Sequence, residues 1–193
     1  MSRIRELLYS FVYNPTINNR FDIAEEYFDK KQYAIAQTFY LKTAELSTDK
    51  DLQYYCLVRC ARCYEIPGNR KHSVMTLYKH AIHLLPDRPE AYYYLSRLHE
   101  YNQDWMDAYF YADLATTKPA KNDIYQQKLN YPATYGPLFQ KAITSWHIGR
   151  GQDSRKLLNY IKDNLYTELD IPHQVSVQKN LARLLGEKVL YNE

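Results

Sequence analysis

Glycine is scarce in this chain, with 5 among 193 residues. So little glycine leaves few positions for tight hairpins or phosphate-cradling loops, which argues against sandwiches and barrels and fits helices. Long apolar runs are missing too: no 18 consecutive apolar residues occur, so no segment reads as a transmembrane helix. Charge of one sign does not accumulate. The 25 basic and 22 acidic residues leave +3, which gives no case for a nucleic-acid or membrane-surface partner. Cysteine is limited to Cys56, Cys60 and Cys63. Near the start, Arg3, Arg5 and Glu6 interrupt Ile4, Leu7, Leu8, Phe11 and Val12. That is too polar for a signal-peptide core, and no small-residue cleavage site follows; a mitochondrial presequence would carry more Arg and Ser and less acid. A short amphipathic helix over residues 1–16 is expected, with free thiols in a reducing, cytoplasmic setting.

What the chain has in excess is tyrosine: 21, against 6 Phe and 2 Trp. Tyrosine joins a large apolar body to a polar tip, which suits shallow packing between helices and partly wet binding surfaces. Apolar and small residues recur at helical spacing almost throughout, punctuated by Gly and Pro. The pattern predicts helices over 21–30, 33–46 and 52–66, the last ended by Pro67 and Gly68. Others follow over 73–85, from Arg88-Pro89 to about 101, and over 105–116. Residues 117–136 carry Pro119 and Pro132 among polar residues and tyrosines, and read as an extended connection with room for one helical turn. Helices resume over 137–148 and 153–165, and Pro172 suits the first turn of a last helix closed by Gly186.

These helices pair into units. Ile23, Ala24, Tyr27, Ala36 and Tyr40 stand at the Leu, small, Tyr, Ala and aromatic positions of a 34-residue helix–turn–helix repeat. Leu57, Cys60, Ala61, Tyr64, Tyr78, Ala81 and Pro86 repeat the pattern, with Val74 for the first Ala. Tyr92, Leu95, Ser96, His99, Ala108, Ala115 and Pro119 form a third set, with Ala112 in the aromatic place. A degenerate fourth holds Ala142, the turn Gly149-Arg150-Gly151 and Ser154. On these positions the chain resembles the tetratricopeptide superfamily over residues 17–165, with units at about 17–50, 54–88, 89–122 and 136–165. The resemblance implies an all-α solenoid of about four helix pairs, with residues 166–193 as a C-terminal capping helix and tail. One pair cannot bury its apolar stripe alone, so the pairs must stack.

A narrower resemblance lies in 86–165. The run from Arg88 through Leu98, then Ala108, Ala112, Pro119, Asp123, Tyr131 and Trp146-His147-Ile148-Gly149, is similar to repeat segments that accompany glycosyltransferases in bacterial and in viral or phage proteins. The chain has no room for a nucleotide-sugar fold, so this resemblance implies an accessory module with a glycosyltransferase as partner; separately, tyrosine faces in the run Tyr92-Tyr93-Tyr94 would suit a carbohydrate.

No catalytic set stands out. Cys56, Cys60 and Cys63 have the C-x3-C-x2-C spacing of radical iron–sulfur enzymes. Without strand–helix alternation that spacing is one apolar stripe of a helix, so packed thiols are expected, with no metal and no cofactor. His99 occupies a repeat Tyr position, which predicts packing, and Glu25, Glu26 and Asp29 on one helix read as a solvated face. No H-E-x-x-H, G-x-S-x-G or Gly-rich phosphate loop is present.

A binding surface has more to draw on. In stacked repeats the first helix of each pair lines the groove, which selects Phe21, Glu25, Tyr55, Val58, Arg62, Glu65, Tyr93, Arg97, Glu100 and Tyr101. Arg62 and Arg97 hold equivalent repeat positions, and two guanidinium forks there would suit a carboxylate or phosphate of a peptide, with tyrosines as anchors. Pairing of these arginines with Glu25, Glu65 and Glu100 is the equal alternative. The expected function is therefore a non-catalytic scaffold that binds a protein or peptide segment. An accessory role beside a glycosyltransferase, or a structural part of a viral or other assembly that self-associates through tyrosines, stands as the alternative.

Overall fold

The computed structural model describes residues 3–68, 70–121 and 123–184. Among them the α-helices are α1 (Arg3–Tyr13), α2 (Ile17–Asp29), α3 (Tyr33–Leu46), α4 (Lys50–Glu65), α5 (Lys71–Leu84), α6 (Glu90–Tyr101), α7 (Trp105–Thr116), α8 (Ile124–Lys128), α9 (Gly136–His147), α10 (Gly151–Asn164) and α11 (Ile171–Leu184). The fold is all-α, in antiparallel pairs of the tetratricopeptide-like kind. The chain divides into two compact units, Met1–Asp87 with Asp123–Leu129, and Arg88–Asn122 with Asn130–Glu193. The connection read from sequence over 117–136 is thus split: its one short helix, α8, belongs to the first unit.

In the first unit, α2 pairs with α3 and α4 with α5, and α3 packs on α4. The starts are written in side chains. Thr16 accepts the Asn19 N–H at the head of α2, and Asp49 accepts the N–H groups of Asp51 and Leu52 at the head of α4. Each satisfies donors that the first turn leaves free. Ile23, Ala24, Ala36, Tyr40, Ala61, Tyr78 and Ala81 are wholly buried, so the repeat positions are the packing positions. Alanines where two helices cross allow close approach, and complete burial of a side chain such as Ile23 contributes about 1.5–3 kcal/mol. Helix α1 has no buried residue and leans on α2, where Arg3 meets Glu26 at 3.5 Å.

In the second unit, α6 pairs with α7, α9 with α10, and α7 packs on α9. Leu95, Ser96, Ala108, Ala112 and Ala142 are wholly buried. Ser96 donates its hydroxyl to the Ala108 carbonyl at 2.6 Å, a bond that needs the two backbones close. Trp105 stacks on His147 at 3.6 Å between ring centroids, joining α7 to α9. The end of the unit is closed by α11: Val177 and Leu181 share a core with Ala142, Leu158, Ile161 and Leu169. Asp170 caps α11 through the His173 N–H, and Pro172 occupies its first turn. Gly186, expected to close this helix, lies outside the described residues, as does the tail.

Every pair turns through a left-handed residue: Lys31, Gly68, Gln103 and Gly149 all have positive φ. Glycine takes this conformation without steric cost, whereas Lys31 and Gln103 adopt it despite their Cβ atoms.

Candidate binding surface

The first helices of the first unit, α2 and α4, meet around one carboxylate. Glu25 accepts hydrogen bonds from the hydroxyl of Tyr40 on α3 and from that of Tyr55 on α4, the latter at 2.8 Å. Arg59 donates through Nε to the Tyr55 hydroxyl at 2.7 Å and lies 3.7 Å from Glu25. The guanidinium also covers the Phe28 ring at 4.3 Å. Burial pushes the Tyr40 and Tyr55 hydroxyls far above the usual phenol range, and Glu25 adds to the shift of each. Burial opposes the charge on Arg59, but Tyr55, Tyr40 and Glu25 outweigh it, so the cation is held. The expected solvated face on α2 is corrected here: Glu25 is only 18% exposed in its side chain, and Glu26 is paired with Arg3 and Lys30. Only Asp29 faces solvent freely.

Onto this surface comes a distant piece of the same chain. Asp123 caps α8 through the Gln126 N–H. Tyr125 then lies against Tyr55, ring centroids 5.3 Å apart. Arg59 donates through Nη2 to the Lys128 carbonyl at 2.5 Å. The Lys128 ammonium sits 3.8 Å from Glu25 and 4.7 Å from the centre of the Phe21 ring. Tyr125 is raised above the usual phenol range by burial and by Asp49, Cys56, Asp51 and Asp123, so its surroundings are acidic.

The second pair repeats the device. Tyr78 on α5 donates to Glu65 on α4 at 2.6 Å, and Arg62 donates to the same oxygen at 2.6 Å. The tyrosine surplus thus has a structural use: a second-helix tyrosine fills the core and its hydroxyl is satisfied by a first-helix glutamate.

The sequence-derived groove set falls into two places. In the first unit Phe21, Glu25 and Tyr55 come together, Tyr55 wholly buried and 5.5 Å from Phe21 between ring centroids, while Arg62 pairs with Glu65. In the second unit Arg97 is exposed and lies over Tyr93, which is buried beneath Tyr131. Glu100 there accepts from Gln140 of α9, and Tyr101 is 87% exposed. Sequence reasoning missed Arg59, Tyr125 and Lys128. Arg59 was within reach, four residues from Tyr55 and so on the same helix face. Nothing local signals Tyr125 or Lys128 as its partners.

Cys56, Cys60 and Cys63 are buried along α4. Burial raises all three, Cys60 and Cys63 to about 12. His99 is buried and stacks on Tyr111, as its repeat position implies. Among the described residues no group of three His, Cys, Asp or Glu side chains could hold a metal, and no helix is long and apolar enough to cross a membrane.

No protein-family profile and no curated protein matches the chain. Solved structures do. It is similar to the TPR-like repeats of a putative kinesin light chain of Podosopora anserina, at 15% identity and a TM-score of 0.60 over 88% of this chain and 85% of that one. BtubC (BKLC) from P. vanneervenii aligns at 12% identity and a TM-score of 0.67, covering 95% and 79%. MamA protein aligns at 11% identity and a TM-score of 0.58, covering 98% and 87%. At such identities the likeness is one of fold.

Proposed function

We propose that this chain is a non-catalytic interaction scaffold that binds a segment of a partner protein along the first helices of its repeats. In the first unit the surface is Phe21, Glu25 and Arg62 on α2 and α4, with Tyr55 buried behind it and against Tyr125; in the second it is Arg97 and Tyr101 on α6, with Tyr93 buried behind them. One observation carries this. The α2–α4 face already holds a short peptide segment, by a backbone carbonyl on Arg59, an aromatic ring on Tyr55 and an ammonium near Glu25. A face that can seat one segment by main-chain, aromatic and charged contacts has the chemistry for helical-repeat recognition of peptides. The TPR-like fold is in keeping with such a role.

The test is affinity capture of the tagged chain from its native lysate, followed by titration of the recovered partner. The double variant Arg62→Ala/Arg97→Ala is expected to weaken that partner by about tenfold or more, the worth of a lost charge-assisted hydrogen bond. Unchanged affinity refutes the placement of the surface. Recovery of a sugar transferase makes the partner the one implied by the narrower resemblance. Recovery of the chain alone, in a large complex, moves the function to self-assembly.

A further inference from the structure

The segment Asp123–Leu129 is grouped with the first unit, while the residues on either side of it belong to the second. It is a five-residue helix, too short to be stable by itself, so what orders it is what it touches. Its contacts are chemically diverse and include the Lys128 carbonyl on Arg59, Tyr125 on Tyr55, and the Lys128 ammonium between Glu25 and the Phe21 ring. Gln126 and Leu129 are buried as well, whereas Ile124 is 62% exposed and the Lys128 side chain 37% exposed. The receiving surface pairs Glu25 with the Arg59 guanidinium at its floor, and Asp49 and Asp51 add negative charge near Tyr125.

We propose that the α2–α4 face is a binding site for a short basic peptide carrying an aromatic residue and, three positions later, a lysine, and that the chain keeps its own Tyr125–Lys128 segment there as an internal competitor. The spacing follows from the occupant. Within one helical turn, positions i and i+3 lie on one side, so one ring reaches Tyr55 while one ammonium reaches Glu25. The carbonyl bond to Arg59 uses backbone alone and is available to any peptide in the same pose. A partner with this pattern gains what the internal segment gives up, and its apparent affinity is set by the fraction of molecules in which that segment has left. This rests on the scaffold function proposed above and names both its ligand chemistry and its regulation.

The probe is a fluorescein-labelled peptide with the sequence of residues 121–131, titrated by anisotropy against the full chain. The variant Tyr125→Ala/Lys128→Ala loosens the internal segment and is expected to bind the probe at least about tenfold more tightly than the unaltered chain, because the competitor's occupancy falls. Adding Glu25→Gln to that variant is expected to reverse the gain. No binding to the loosened variant overturns the inference. If selected peptides of other composition still bind the α2–α4 face, the scaffold function survives that failure; if none does, both fall. Should light scattering find a dimer that the probe dissociates, the occupant is a second copy of the chain, which also overturns the proposal. Where the variant loses its helical circular dichroism, hydrogen exchange on the unaltered chain decides. Amides of Gln127 and Leu129 exchanging far faster than those in α4 support a displaceable segment, and exchange only with global unfolding contradicts it.

Discussion

Arg59 reaches the Lys128 carbonyl at 2.5 Å across 69 positions of sequence. That bond links the polar cluster under α2 and α4 to a segment that local sequence patterns place in a connection. Removing the arginine would strand both ends: the Tyr55 hydroxyl loses a donor, and Glu25 loses its nearest guanidinium. Arg59→Met is expected to destabilise the chain by about 2–4 kcal/mol, the range for breaking a buried charged hydrogen-bond network. Thermal unfolding followed by circular dichroism measures it. Tyr55→Phe, which removes one hydroxyl and keeps the ring, is expected to cost only about 1 kcal/mol.

A second buried pair gives a sharper contrast. Arg88 and Glu90 are both wholly buried, joined at 3.0 Å between Nη2 and Oε1. Arg88→Met alone leaves a carboxylate without its cation in the interior, at a cost of about 3–5 kcal/mol. The double variant Arg88→Met/Glu90→Leu removes both charges and is expected to be more stable than the Arg88→Met single. Urea unfolding of the three proteins checks the order. A double variant less stable than the single would mean that other contacts of these side chains dominate.

Much of this organisation is legible in the residues, and the division has physical causes. Small and large residues at repeat spacing mark helix pairs because two helices must approach at Ala24, Ala61, Ser96 and Ala142, and all four are buried. His99 in place of a repeat tyrosine reads as packing for the same reason. Local patterns do not carry long-range pairing. Glu25 looks like part of a wet helix face because the residues that cover it, Tyr40, Tyr55 and Lys128, lie 15 or more positions away. The charge on α2 is real, but tertiary neighbours decide whether it is solvated. The pairing of Arg62 with Glu65 three residues on is local, and it was one of two outcomes the sequence left open. The accessory role beside a glycosyltransferase rests on residues such as Arg88 and Ala108 that serve packing, so these positions do not separate one repeat lineage from another.

The turns supply a third prediction. Gly149 has φ of 81°, and a Cβ added there would meet nothing within 4 Å. Gly149→Ala is therefore expected to cost about 1 kcal/mol through backbone strain alone. Gly136 is the opposite case: a Cβ there would stand 2.5 Å from Cγ of Pro132 and 3.2 Å from the Tyr93 ring. Gly136→Ala is expected to disturb the packing of Tyr93 and lower the melting temperature by more than Gly149→Ala does. Melting curves of the two variants side by side decide.

Alkaline pH supplies a fourth. Cys60 and Cys63 are raised by burial from 9.0 to about 12, and Cys56, Tyr40, Tyr55 and Tyr131 are raised by burial as well. Each of these groups holds its proton more tightly folded than unfolded. Its contribution is complete below the unfolded value and is lost as pH climbs from about 9 toward 12. Stability is expected to fall progressively over that window. The buried tyrosines should ionise together with loss of helix. Absorbance at the tyrosinate band and circular dichroism, followed together, test this. At pH 8 the three thiols should react with a disulfide reagent only at the rate of unfolding.

On the proposed function, the first helices of the repeats receive the partner. Hydrogen exchange of the chain with and without its captured partner tests it most directly. Added protection is expected on α2, α4 and α6, with α3, α5 and α7 unchanged. Protection confined to α3, α5 and α7 would contradict it.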